Sequence, residues 1–86
     1  MIHESIHFQE MLKERRISSS WVEETLQNPD LVEYKDDGTT HYIKKIAEYG
    51  NRWLRVIVNE RESPSKLVTV FFDRTLRRKK YENKSR

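Results

Sequence analysis

An α+β fold, with an N-terminal helical hairpin packed on a four-stranded antiparallel meander sheet, is predicted for this 86-residue chain by three observations. Apolar residues recur at helical spacing as far as Asn28-Pro29. From Leu31 onward they come instead in short runs rich in β-branched and aromatic side chains. Two of the breaks between those runs, Asp37-Gly38 and Gly50-Asn51, are turn pairs that join neighbouring antiparallel strands. A chain of this length buries only about 60% of the surface its unfolded form exposes, so it has one core and little room for a deep pocket.

The first helix is capped by Ser5 and places Phe8, Met11, Leu12 and Arg15 on one face, with Arg15 beyond the apolar part. A break follows at Arg16-Ile17. The serine run Ser18-Ser19-Ser20, with Ser20 and Glu23 at capping-box spacing, starts the second helix near Ser19. Trp21, Val22, Thr25 and Leu26 share its inner face, and Asn28-Pro29 ends it, because proline disfavours helix in the residue before it. The strands that follow are Leu31 to Lys35, Thr40 to Tyr49, Trp53 to Asn59 and Leu67 to Phe72, with the polar, Pro64-containing segment 60–66 as the last loop.

In the third strand Leu54, Val56 and Val58 point one way and Trp53, Arg55 and Ile57 the other. Pairing is expected to set the first three against Val68, Val70 and Phe72 in the core, unless register reverses the parity of the last strand. The opposite face then carries Tyr42, Lys44, Trp53, Arg55, Ile57, Leu67, Thr69 and Phe71. Basic and aromatic side chains interleaved on an exposed sheet hold phosphates and stack bases, which makes Tyr42, Lys44 and Trp53 candidate RNA-binding residues. The alternative is a second hydrophobic layer, covered by the tail or by a partner.

The net charge of +3 conceals an asymmetry. Residues 74–86 carry seven basic side chains against one acidic, whereas residues 1–73 carry ten basic and thirteen acidic. The reading is one α+β domain over 1–73 and a basic tail over 74–86, whose Arg77, Arg78, Lys79 and Lys80 suit RNA or an acidic partner. The same composition also suits a plain solubilising end. There is no cysteine, so no disulfide framework or thiolate metal site is expected. No apolar run approaches the ~18 residues of a membrane span, and the expected setting is cytoplasmic with no membrane contact. Both glycines serve turns, which removes phosphate-cradling loops and the Gly-x-Ser-x-Gly elbow, and with them nucleotide and serine hydrolysis. His3 and His7 stand four apart, but Ser5 between them caps the helix and no carboxylate completes a ligand set, so neither metal nor cofactor is expected.

The run from His7 to Ser18, HFQEMLKERRIS, resembles the H-A-R-x-R-M-x-x-R-G-I-S opening of a family of small prokaryotic proteins of unknown function. The likeness continues through Val22, Leu26, Asn28-Pro29-Asp30, Asp37-Gly38, Leu54 to Val58 and Leu67 to Phe71, roughly residues 5 to 72. That family is similar to the RelE/ParE and BrnT toxins, many of them metal-independent ribonucleases built as a helical hairpin on a small sheet. The resemblance implies a RelE-like toxin architecture and a site drawn from His7, Arg15, Arg55 and Thr69. It also implies RNA, ribosome-associated RNA included, and an antitoxin protein as partners. Among the departures from the pattern, Met11 stands at a basic position, Leu12 at the methionine and Arg16 at the glycine. Arg16 thus occupies a turn in which glycine's tolerance of positive φ is natural.

Cleaving RNA without metal needs a base for the 2′-hydroxyl, a cation at the phosphorane and an acid for the leaving oxygen. In this scheme His7 is the acid–base group, because histidine titrates near neutrality. Arg15 and Arg55 clamp the phosphate, Thr69 adds a hydroxyl donor, and His41 or Tyr42 assists. Structural roles compete at every position. His7 can hydrogen-bond the backbone, Arg15 can pair with Glu23 or Asp30, and Arg55, lying between apolar neighbours where a charge needs pairing, can serve a structural ion pair. The leading function is a toxin-like, metal-independent endoribonuclease; the other is a non-catalytic RNA-binding or protein-interaction module on the same scaffold. Exposed sheet edges admit a homodimer by strand pairing.

Overall fold

The computed structural model describes residues 6–76. Helices α1 (Ile6–Arg15) and α2 (Ser19–Gln27) form the predicted hairpin, and strands β1 (Leu31–Tyr34), β2 (Thr39–Ile46), β3 (Arg52–Asn59) and β4 (Lys66–Phe72) form one antiparallel sheet in the order β1-β2-β3-β4. A three-residue helical turn, α3 (Arg74–Leu76), follows β4. The expected cap Ser5, His3 and the basic residues Arg77, Arg78, Lys79 and Lys80 lie outside the described residues.

The hairpin turn is built by a residue that fits it poorly. Arg16 adopts φ 56°, the left-handed region, so that Ile17 N–H reaches the Leu12 carbonyl at 2.9 Å and Arg16 N–H the Lys13 carbonyl at 3.2 Å. This pair of bonds closes the helix end in a Schellman motif, and Ile17 then packs with Leu12 in the core. At the start of α2 the cap is Ser18, whose Oγ accepts from Ser20 N–H; the capping box expected on Ser20 does not form. The buried Thr25 hydroxyl is satisfied within the helix by donating to the Trp21 carbonyl at 2.7 Å.

One face of the sheet carries the hairpin. Phe8, Leu12, Ile17 and Val22 pack there on Ile46, Leu54, Val56, Val58, Leu67 and Val70. The expected register holds for Leu54 opposite Phe72 and Val56 opposite Val70, then slips. A β-bulge sets Val58 opposite Leu67 rather than Val68, so Leu67 enters the core and Val68 is left exposed. Tyr42 and Lys44 also change sides. They stand opposite Val56 and Leu54 and so share the helix face with them, not the outer face assigned from the sequence. The cause is that β2 buries apolar side chains on both faces, Ile46 against the helices and Ile43 on the outer face, so its parity cannot be read from polarity.

The outer layer is small. Leu76 of α3 folds back on Ile43, Trp53 and Leu31. Trp53 is therefore on the face expected of it but only 5% exposed.

Candidate functional site

The register that pairs Glu33 with His41 and Ile43 with Arg55 brings three polar side chains together on the outer face, and the chain leaving β4 adds Asp73. Arg55 is the centre of this group. Its Nε and Nη2 lie 2.9 and 2.8 Å from Asp73 Oδ2, and its Nη1 lies 3.1 Å from Glu33 Oε1 and 2.8 Å from His41 Nδ1. Because a guanidinium only donates, His41 Nδ1 must accept, which makes the imidazole neutral with its proton on Nε2. Burial and then the charges of Arg55 and Lys35 push the His41 pKa down, in agreement with a neutral ring. For Glu33, burial alone raises the carboxyl, but hydrogen bonds and charge from Arg55 and Lys35 outweigh it and bring it down to about 2. Asp73 is likewise lowered: burial opposes ionisation, and the Thr75 and Arg55 bonds overcome it. The guanidinium, 11% exposed, fills the centre of this group and is committed to protein partners on three nitrogens.

Arg15, at the end of α1, is held differently. Its Nη1 donates to the Val70 carbonyl at 2.8 Å and to Thr69 Oγ1 at 3.3 Å, so the helix end is pinned to the outer edge of β4. The Thr69 hydroxyl in turn points at Met11 Sδ, 3.4 Å away, a weak acceptor. Arg15 is exposed, and among the described residues its Nε and Nη2 have no protein partner. Neither ion pair open to it in the sequence is made; Asp30 Oδ2 instead accepts from the Lys45 backbone N–H. Lys13 and Arg16 line an adjacent groove between the two helices with Ser18, Ser19 and Glu23.

The four residues implied by the resemblance therefore divide. Arg15 and Thr69 are in contact. His7 is exposed on α1, about 12 Å from Arg15 along the helix axis at eight residues' separation. Arg55 belongs to the outer-face network and offers nothing at the β4 edge. Of the RNA-binding candidates, Tyr42 donates its hydroxyl to Glu60 at 2.9 Å, and burial together with that bond raises its pKa to about 12. Lys44 Nζ donates to the Asn28 carbonyl at 3.1 Å, and Trp53 is covered by Leu76. Sequence reasoning passed over Glu33 and Asp73. Their signal was Arg55 itself, a charge on a central strand that requires carboxylates of matching parity on its neighbours.

The model of a domain family of unknown function, DUF4258, matches residues 5–72. The chain belongs to the DUF4258 family. Comparison with curated proteins and with solved structures gives no match. The DUF4258 span contains both arginines, Thr69 and Glu33, and stops one residue short of Asp73. Asp73 and Leu76, which close the outer face of this DUF4258 chain, thus lie just beyond the matched region.

Proposed function

We propose that this DUF4258 protein is a toxin-like RNA-binding protein that holds single-stranded RNA along the β4 edge and the exposed side of α1. The observation that carries the reading is the seat of Arg15. One nitrogen is spent on Thr69 and the Val70 carbonyl, which fixes the side chain, and two remain for a phosphate. A planar fork anchored in this way binds a phosphate oxygen pair at a smaller entropy cost than a free surface cation. Thr69, whose hydroxyl is turned to a weak thioether acceptor, is readily redirected to a phosphate oxygen or a 2′-hydroxyl. Arg16 and Lys13 beside it, and the basic residues of 74–86, supply the long-range field.

Cleavage is the second reading, favoured by the exposed imidazole of His7 on the same helix. It ranks below binding because Arg55, the second phosphate clamp of the ribonuclease scheme, is held by Glu33 and Asp73, and because the backbones of His7 and Arg15 stand about 12 Å apart along α1. An antitoxin partner fits either reading, as an acidic segment competing for the same cations.

The deciding experiment is to mix the purified protein with a single-stranded RNA in EDTA, following anisotropy and then RNA ends. Binding without cleavage, weakened in Arg15→Ala, supports the binding reading. Fragments ending in 2′,3′-cyclic phosphate that vanish in His7→Ala replace it with the ribonuclease. Absence of binding at low salt overturns both.

A further inference from the structure

We infer that the aromatic trio Trp21, Tyr49 and Phe72, capped by Arg52, is a base-stacking subsite for single-stranded RNA, one nucleotide beyond the phosphate seat at Arg15; this rests on the RNA-binding reading above. The three rings meet at one end of the molecule, where α2, the turn Ala47–Tyr49 and the end of β4 converge. Their centroids are 5.0 Å apart for Tyr49 and Phe72, 5.3 Å for Trp21 and Tyr49, and 6.0 Å for Trp21 and Phe72. Trp21 and Phe72 are half-buried and brace Tyr49, which is 40% exposed. Glu48 accepts from the Trp21 indole N–H at 3.1 Å and fixes the tilt of that ring.

The Arg52 guanidinium already does what a base does. Its Cζ lies over the Tyr49 ring, 4.7 Å from the centroid, and Arg52 itself is exposed. A cation–π contact at an exposed site contributes less than a stacked nucleobase, so a base displaces the guanidinium from the ring. Position supports the same occupant. Phe72 is two residues along β4 from Val70, whose carbonyl Arg15 holds, a distance of about 7 Å. Arg52 and Glu48 cancel in charge, so the cluster contributes ring surface while Arg15 and the basic tail contribute field.

That division gives a test with two independent readouts. Anisotropy is followed for the full chain with an oligouridylate and with an abasic ribose-phosphate strand of equal length and charge, over a range of salt. The expected result is that wild type prefers the oligouridylate at least five-fold, that Tyr49→Ala removes the preference without changing the salt slope, and that Tyr49→Trp keeps it. Equal affinity for the two strands in wild type, or an unchanged preference in Tyr49→Ala, overturns the stacking subsite while leaving the RNA-binding reading intact. Failure of both strands to bind overturns the two together.

Discussion

Two arginines, Arg55 and Arg15, each contact β4 or the chain just beyond it, and they have opposite fates. Arg55 is 11% exposed and bonded through three nitrogens to Glu33, Asp73 and His41. Arg15 is exposed and bonded through one. The difference follows from where each backbone position lies. A charge on a central strand is desolvated whether or not a ligand is present, so it must carry its counter-ions within the fold. A charge at a helix end over a sheet edge stays hydrated, and the edge supplies an unpaired carbonyl that orients it without neutralising it. Residue type alone thus does not separate an arginine open to solvent from a structural ion pair; its hydrogen-bond partners do.

The largest expected effect is on stability. Arg55→Met takes the guanidinium away from Asp73 and leaves Glu33 its contact with Lys35 but not with Arg55, and should cost about 3 kcal/mol in urea unfolding. Adding Glu33→Gln should recover part of that loss, because removing the second charge removes the uncompensated burial. Arg15→Ala should cost no more than about 1 kcal/mol, the worth of one exposed hydrogen-bonded anchor. Equal losses for the two arginines would erase the distinction.

The same network should also set the acid response, with one sign throughout. Glu33 ionises at about 2 in the fold instead of 4.5, so its contribution is complete above 4.5 and is lost as pH falls towards 2. Asp73, lowered from 3.8, acts in the same direction. His41 is held neutral in the fold with its pKa below 6.5, so the unfolded chain takes up the proton first and stability begins to fall as pH drops below 6.5. Unfolding free energy measured from pH 7 to pH 2 should therefore decline monotonically, by roughly 3 kcal/mol from Glu33 alone. In Arg55→Met the decline between 4.5 and 2 should flatten. A decline that survives the substitution would mean that some other group dominates acid unfolding.

The outline of this comparison was legible in the sequence, and its details were not. Helical spacing, Asn28-Pro29 and the two glycine turns were enough for the hairpin and the meander, because each is a local signal. The need of Arg55 for a carboxylate was legible for the same reason. The sides of Tyr42 and Lys44 and the entry of Leu67 were not, since they depend on a bulge and on Leu76 covering the outer face, both long-range events. The trio of Trp21, Tyr49 and Phe72 is drawn from three separate elements, and nothing short of the packing joins them.

On the open side, Arg15→Ala should weaken oligouridylate binding about ten-fold and reduce the magnitude of the salt slope by about 0.7, the signature of one lost phosphate contact on a single strand. Arg55→Met, measured where it remains folded, should leave that slope unchanged. A slope that moves in Arg55→Met as much as in Arg15→Ala would place the phosphate seat on the outer face instead.

The smallest effect separates the two demands within one residue. Arg16 holds φ 56° at the helix end, a conformation that glycine adopts without a Cβ penalty. Arg16→Gly should therefore raise stability by about 1 kcal/mol, since the Schellman bonds to Lys13 and Leu12 are made by backbone and survive the change. The same substitution removes a cation beside Arg15, so RNA affinity should fall at low salt and recover towards wild type as salt is raised. A gain in stability with affinity untouched would make Arg16 a mere strained turn, and would confine the open site to Arg15 and Thr69. A gain in one and a loss in the other would show a cation kept at a position that the backbone would give to glycine.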